Sequence, residues 1–127
     1  MGTYARLPDA ELEVMQALWA RKEYPVSSGE LMEGLAEKHW RLPTLLKLLS
    51  RLEERGFVAR EKEGRANLYR PLVKEADYLA AETRSFLERL HAGSLPSLVA
   101  ALVDSKTVSD AELRELEELL RGGNGDG

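Results

Sequence analysis

Residues 27–70 read SSGELMEGLAEKHWRLPTLLKLLSRLEERGFVAREKEGRANLYR, and the order of elements in this stretch decides the fold. Ser27-Ser28-Gly29-Glu30 has the pattern of a capping box, in which the Ser27 hydroxyl accepts from the Glu30 N–H and the Glu30 carboxylate returns to Ser27. Val26 and Leu31 flank the box as a hydrophobic staple, so a short helix is expected over residues 28–38. Pro43 suits the first turn of a further helix, over residues 43–55, where its missing N–H costs nothing. Leu45, Leu48, Leu49 and Leu52 recur at helical spacing as its buried stripe, and Gly56 can take the left-handed conformation that ends it. Beyond Gly56 the period changes: FVAREK and ANLYR, on either side of Glu63-Gly64-Arg65, read as a β-hairpin closed by Pro71. A capped helix, a short connection, a longer helix and a hairpin make a winged helix-turn-helix.

On the N-terminal side, residues 9–22 place Leu12, Met15, Leu18 and Trp19 on one helical stripe, with Asp9 able to cap the first turn. Trp19 is read there as a core side chain. On the C-terminal side the chain is helical again. Lys74 to His91 carries Leu79, Thr83, Phe86, Leu87 and Leu90 on one face, and Ser94 to Val103 carries Leu95, Leu98, Val99 and Leu102. Ser109-Asp110-Ala111-Glu112 is a second capping box, stapled by Val108 and Leu113, ahead of a last helix with Leu116, Leu119 and Leu120. The closing GGNGDG has no apolar side chain to bury. The fold class is therefore mainly α with a small β-hairpin wing. A winged-helix DNA-binding domain is expected at 1–72, a three-helix dimerisation lobe at 73–121 and a disordered tail at 122–127.

Composition narrows the chemistry. Of 127 residues 43% are apolar, enough for a core, and none is Cys, which excludes a disulfide scaffold, a thiolate metal site and a cysteine nucleophile. The N-terminus has no signal-peptide pattern and no window approaches 18 uninterrupted apolar residues, so a cytoplasmic protein without membrane spans is expected. His39 and His91 are the two imidazoles, and neither belongs to an H-E-x-x-H, nucleophile-elbow or P-loop pattern. No enzyme and no cofactor are expected.

The net charge of −4 conceals a division. Residues 1–72 hold 12 basic and 11 acidic side chains (+1), and residues 73–127 hold 6 and 11 (−5). Within residues 38–70, nine basic groups face only Glu53, Glu54, Glu61 and Glu63, which leaves +5. A helix of this kind fits the major groove of duplex DNA, while a hairpin can follow the neighbouring backbone. The face that the leucines leave free presents Thr44, Lys47, Ser50 and Arg51, preceded by Arg41. Thr can meet a thymine methyl or a phosphate, and Lys and Arg can donate to guanine or to phosphate oxygens. Ser27 and Ser28, with the free N–H groups that begin their helix, are candidates for a phosphate anchor, and Lys62 and Arg65 for the wing contacts. The competing reading is a winged helix that serves as a protein-interaction module or adaptor without sequence-specific DNA binding.

Three amphipathic helices in so short a segment cannot cover their own apolar faces, and exposed apolar area is unfavourable by about 25 cal/mol per Å². A homodimer that uses the same surface twice is the simplest cover, with Phe86, Leu90, Leu98, Leu102, Leu116 and Leu120 as interface candidates. Two-fold symmetry then implies a palindromic site on double-stranded DNA.

LPDAELEVMQALW near the start, RLEERGFVAREKEGRANLYRPLV in the middle and ETRSFLERLHAGSLPSLVAALVDSKTVSDAELRELEELL at the end resemble the penicillinase and methicillin-resistance repressor family, in its order and spacing. The resemblance covers residues 7–120. It implies a dimeric winged-helix transcriptional repressor with an N-terminal lobe on a palindromic operator and a C-terminal helical lobe that dimerises. Thr44 and Arg51 match the family's third-helix pattern, while Pro43 stands at the family's Lys and Lys47 at its second Thr, which implies a different operator sequence. Leu42 and Leu46 make this helix unusually apolar, which suggests an extra packing contact and weaker groove reading. The resemblance also implies relief of repression through an unidentified sensor or protease. The family's Asn-Phe cleavage site is replaced here by Leu98-Val99-Ala100-Ala101-Leu102, and the Cys-x-Cys pair of copper-responsive relatives is absent.

Overall fold

The structure, a computed structural model, describes residues 6–126. Its elements are α1 (Asp9–Trp19), β1 (Val26–Ser27), α2 (Ser28–Gly34), a 3-10 turn (Ala36–Lys38), α3 (Leu42–Glu54), β2 (Val58–Glu63), β3 (Ala66–Pro71), α4 (Glu75–His91), α5 (Leu95–Asp104) and α6 (Asp110–Asp126). The chain divides into two compact units, one through Glu82 and one from Thr83.

In the first unit the four leucines read as the buried stripe of the long helix, Leu45, Leu48, Leu49 and Leu52, are 0–7% exposed. They meet Val14, Met15 and Leu18 of α1, Leu31 of α2, Phe57, and Val58 and Tyr69 of the strands in one core. Trp19 packs against that core half-buried, and its indole N–H donates to the Val73 carbonyl at 2.9 Å. Tyr78 of α4 is buried beside Trp19 and Phe57, and its hydroxyl accepts from the Leu7 N–H at 2.9 Å. These contacts draw the first part of α4 into the first unit. The division into compact units therefore falls inside α4, after Glu82.

Two local features set where the hairpin leaves α3. Gly56 adopts φ +81°. The Phe57 N–H then reaches back to the Leu52 carbonyl and the Gly56 N–H to that of Glu53, the paired bonds of a Schellman end. Gly64, at φ +64°, takes the first central position of a two-residue turn between Glu63 and Ala66, where a Cβ would be strained. The sheet has one strand more than the hairpin expected from sequence. β1 pairs with β3 through Val26–Tyr69 and Ser27–Leu68, giving the order β1-β3-β2, all antiparallel. α2 is also shorter than its expected span. It stops at Gly34, a poor helix former, and His39 at φ 58° closes the separate 3-10 turn.

One buried charge ties α1 to the end of α3. The Glu11 carboxylate is 1% exposed and accepts from Arg55 Nε at 2.7 Å. Replacing Arg55 by Ala leaves that carboxylate buried and unpaired. Because Arg55 itself is partly solvated, urea denaturation should show a loss of about 2 kcal/mol, below the range for a fully buried pair. Adding Glu11→Gln to the same protein should restore part of it.

The second unit comprises the rest of α4, α5 and α6. Ser94 caps α5, its hydroxyl accepting from the Ser97 N–H at 3.1 Å, and Ser109 and Glu112 form the expected capping box at α6. His91, at the end of α4, contacts the Ser97 hydroxyl through Nδ1 at 3.0 Å. α6 continues as helix to Asp126, past Leu120 and into the stretch expected as a tail. Gly127 lies outside the described residues.

Candidate nucleic-acid interface

α3 presents three surfaces around its buried stripe. At about 100° per residue, Thr44, Lys47 and Arg51 share one flank, and all three are exposed. On the opposite flank Leu46, Ser50 and Glu53 line a cleft of ≈ 170 Å³ with Arg60, Asn67 and Tyr69 of the hairpin. The structure thus brings Thr44, Lys47 and Arg51 together as expected and sets Ser50 apart, against the wing. Arg60 and Glu53 approach to 3.4 Å across this cleft, which braces the hairpin against α3. Burial pushes the Tyr69 phenol above its ordinary value, so it stays protonated there. The Asn67 Oδ1 is buried with no hydrogen-bond partner. The strand residues Arg60, Asn67 and Tyr69 were not singled out for this cleft from sequence, where a side chain in a short strand carries no distinguishing signal.

The nine basic residues of 38–70 sort into two groups. Lys38 pairs with Glu13, Arg55 with Glu11, Arg60 with Glu53 and Arg70 with Glu61. Among the described residues, Arg41, Lys47, Arg51, Lys62 and Arg65 have no ion-pair partner, and all five are exposed. These five are the basic residues that sequence reasoning proposed for contact with a polyanion. Arg41 stands at the N-cap of α3, and Lys62 and Arg65 stand at the hairpin tip.

The starts of the two helices differ in a way that bears on anion binding. At α3 no side chain caps the first turn and no acidic residue lies in it, so the positive end of the helix dipole is uncompensated. At α2 the position is already occupied. The Ser27 hydroxyl accepts from the Glu30 N–H at 3.1 Å, and the Ser27 N–H donates to the Glu30 carboxylate at 2.9 Å. That carboxylate is held below its ordinary pKa first by the Ser27 N–H, with Arg21 Nη2 at 2.9 Å adding to the effect. A phosphate at Ser27 would compete with Glu30, while the neighbouring Ser28 stands half-buried at the first position of α2.

Leu42 and Leu46 stay outside the core, Leu46 at the edge of the cleft beside the hairpin. They are 45% and 37% exposed, one turn apart on α3. Among the described residues, no group of three or more His, Asp or Glu side chains could hold a metal ion, and no helix is long and apolar enough to cross a membrane.

This arrangement, a helix-turn-helix followed by a two-stranded wing with unpaired cations along one side, is that of a winged-helix DNA-binding domain. A family model described as Penicillinase repressor matches residues 7–122. The penicillinase repressor of Bacillus licheniformis is 34% identical over 121 residues, 94% of this chain and 93% of the relative. The methicillin resistance regulatory protein MecI of Staphylococcus aureus is 31% identical over 114 residues, 90% and 92% of the two chains. Two solved structures are similar at TM-score 0.50: the DNA-binding domain of the repressor BlaI, 34% identical, and the monomeric form of Bacillus licheniformis BlaI in complex with the blaP half-operator, 33% identical. Each covers 61% of this chain and 94% of its own. The chain belongs to the penicillinase repressor family, whose members are transcriptional repressors and not enzymes.

Proposed function

We propose that this protein is a cytoplasmic repressor that binds a palindromic operator as a homodimer, one winged helix on each half-site. The observation that carries the reading is the sorting of charge: the cations of residues 38–70 left without carboxylate partners among the described residues are those on α3, at its start and at the wing tip. Thr44, Lys47 and Arg51 contact base edges or the nearest phosphates in the major groove, while Arg41, Lys62 and Arg65 contact the backbone. Ser28 and Ser50 supply subsidiary polar contacts. The half-operator complex of the relative supports one domain per half-site.

Dimerisation is assigned to the second unit. Phe86, Leu90, Leu116 and Leu120 are 38%, 60%, 36% and 54% exposed, and Leu98 and Leu102 are half-buried. Among the described residues from 83 onward no side chain is buried, although the segment is rich in leucine. An unidentified sensor or protease would relieve repression.

Selection of bound sequences from random duplex with the full chain, followed by titration at several salt concentrations, tests the reading. A palindromic consensus and steep weakening with salt are expected. Failure to bind any duplex at low salt would leave the protein-interaction reading. In the same titration, replacing both Lys62 and Arg65 by Ala should lower the slope of log K against log salt by about 2 per protomer while leaving the selected consensus unchanged. An altered consensus would mean that the wing reads bases.

A further inference from the structure

We propose that Leu42 and Leu46 determine sequence specificity by packing against thymine 5-methyl groups in the major groove, an inference that rests on the DNA reading above. The two leucines lie in the first two turns of α3, the end of a recognition helix that reaches base edges. They are 45% and 37% exposed, on a helix whose other four leucines are buried. Their spacing of four residues puts them on one strip.

The occupant of that strip follows from its surroundings. Arg41 precedes Leu42 and Lys47 follows Leu46 in the chain, both exposed and without an ion-pair partner among the described residues. Leu46 stands at the edge of the wing cleft, where Glu53 is paired with Arg60, and the helix start carries neither cap nor carboxylate. This charge complements a polyanion and not an apolar protein surface. On the major-groove edges of unmodified DNA the one large apolar group is the methyl at C5 of thymine; guanine N7 and O6, adenine N7 and N6 and cytosine N4 are polar. A leucine over those polar edges offers no donor or acceptor and leaves the base unsatisfied once water is expelled. Leu42 and Leu46 therefore favour thymine both by contact and by exclusion. The apolar face of α3 is a reading surface and not a weakness of it.

The test uses the consensus selected from random duplex by the full chain. Each thymine is replaced in turn by deoxyuridine, which removes the methyl and leaves every hydrogen-bonding group in place. At one or more positions affinity should fall roughly fourfold per methyl. The Leu42→Ala/Leu46→Ala protein should bind the thymine and uracil duplexes alike, with far-UV circular dichroism confirming that it folds. A flat uracil scan of the parent protein overturns the inference without any variant. So does a scan unchanged in the double variant, which would assign the methyl contact to Thr44. Failure to select any duplex overturns the DNA reading itself, a result distinct from a flat scan on a duplex that binds.

Discussion

Arg51→Ala should strongly weaken operator-specific binding and leave the fold intact. Arg51 is exposed, has no carboxylate partner among the described residues, and shares a flank with Thr44 and Lys47. Its removal orphans no buried group, so urea denaturation should move by no more than about 0.5 kcal/mol. A guanidinium placed on base edges contributes about 1–3 kcal/mol of discrimination, so half-site affinity should fall roughly ten- to a hundredfold, measured by fluorescence anisotropy on the selected duplex. Arg55, four residues on at the C-cap of α3, is the internal control. It holds the buried Glu11 and should affect stability far more than binding. Operator affinity unchanged by Arg51→Ala would remove this residue from the interface.

Leu90→Asp should convert the protein to a monomer and cost most of its affinity for the full palindrome. Leu90 is 60% exposed within its own chain, so a charge there is harmless to a single copy and unfavourable only if a second copy covers it. Light scattering should give a particle near the chain mass of 14.2 kDa. Losing the link between two half-site domains should weaken palindrome binding by about 10²–10⁴-fold while half-site binding is retained. Leu98→Asp is the companion change at a half-buried position, and Leu120→Asp, at 54% exposure, a second exposed one. A dimer that persists in all three places the interface elsewhere.

Much of the first unit was legible because its signals are local. The Ser27–Glu30 box, the Leu45–Leu52 stripe and Gly56 each act through bonds or contacts within a few residues, and each appears where its spacing puts it. β1 was not legible, since two residues cannot show an alternation and Val26–Ser27 becomes a strand only by pairing with β3, some forty residues on. The free face of α3 was read as a single surface. Ser50 proved to belong to the cleft because the position of the hairpin, which local spacing does not encode, divides that face. Charge was legible in sum and not in allocation. Sequence counts nine cations in residues 38–70, and only the three-dimensional arrangement separates those neutralised by a nearby carboxylate from those that are not. Leu42 and Leu46 show the same limit from the other side: their apolarity was plain, and whether it faced the interior was not.

The absence of any fully sheltered side chain among the described residues from 83 onward has a consequence for how much repressor a cell must keep. If association supplies that shelter, the thermal midpoint of the C-terminal half rises with protein concentration by mass action. Freshly made or diluted copies would then expose their distal helices to housekeeping proteases, and only molecules that find a mate would persist. Abundance itself would become a control variable, sharpening the response whenever synthesis slows.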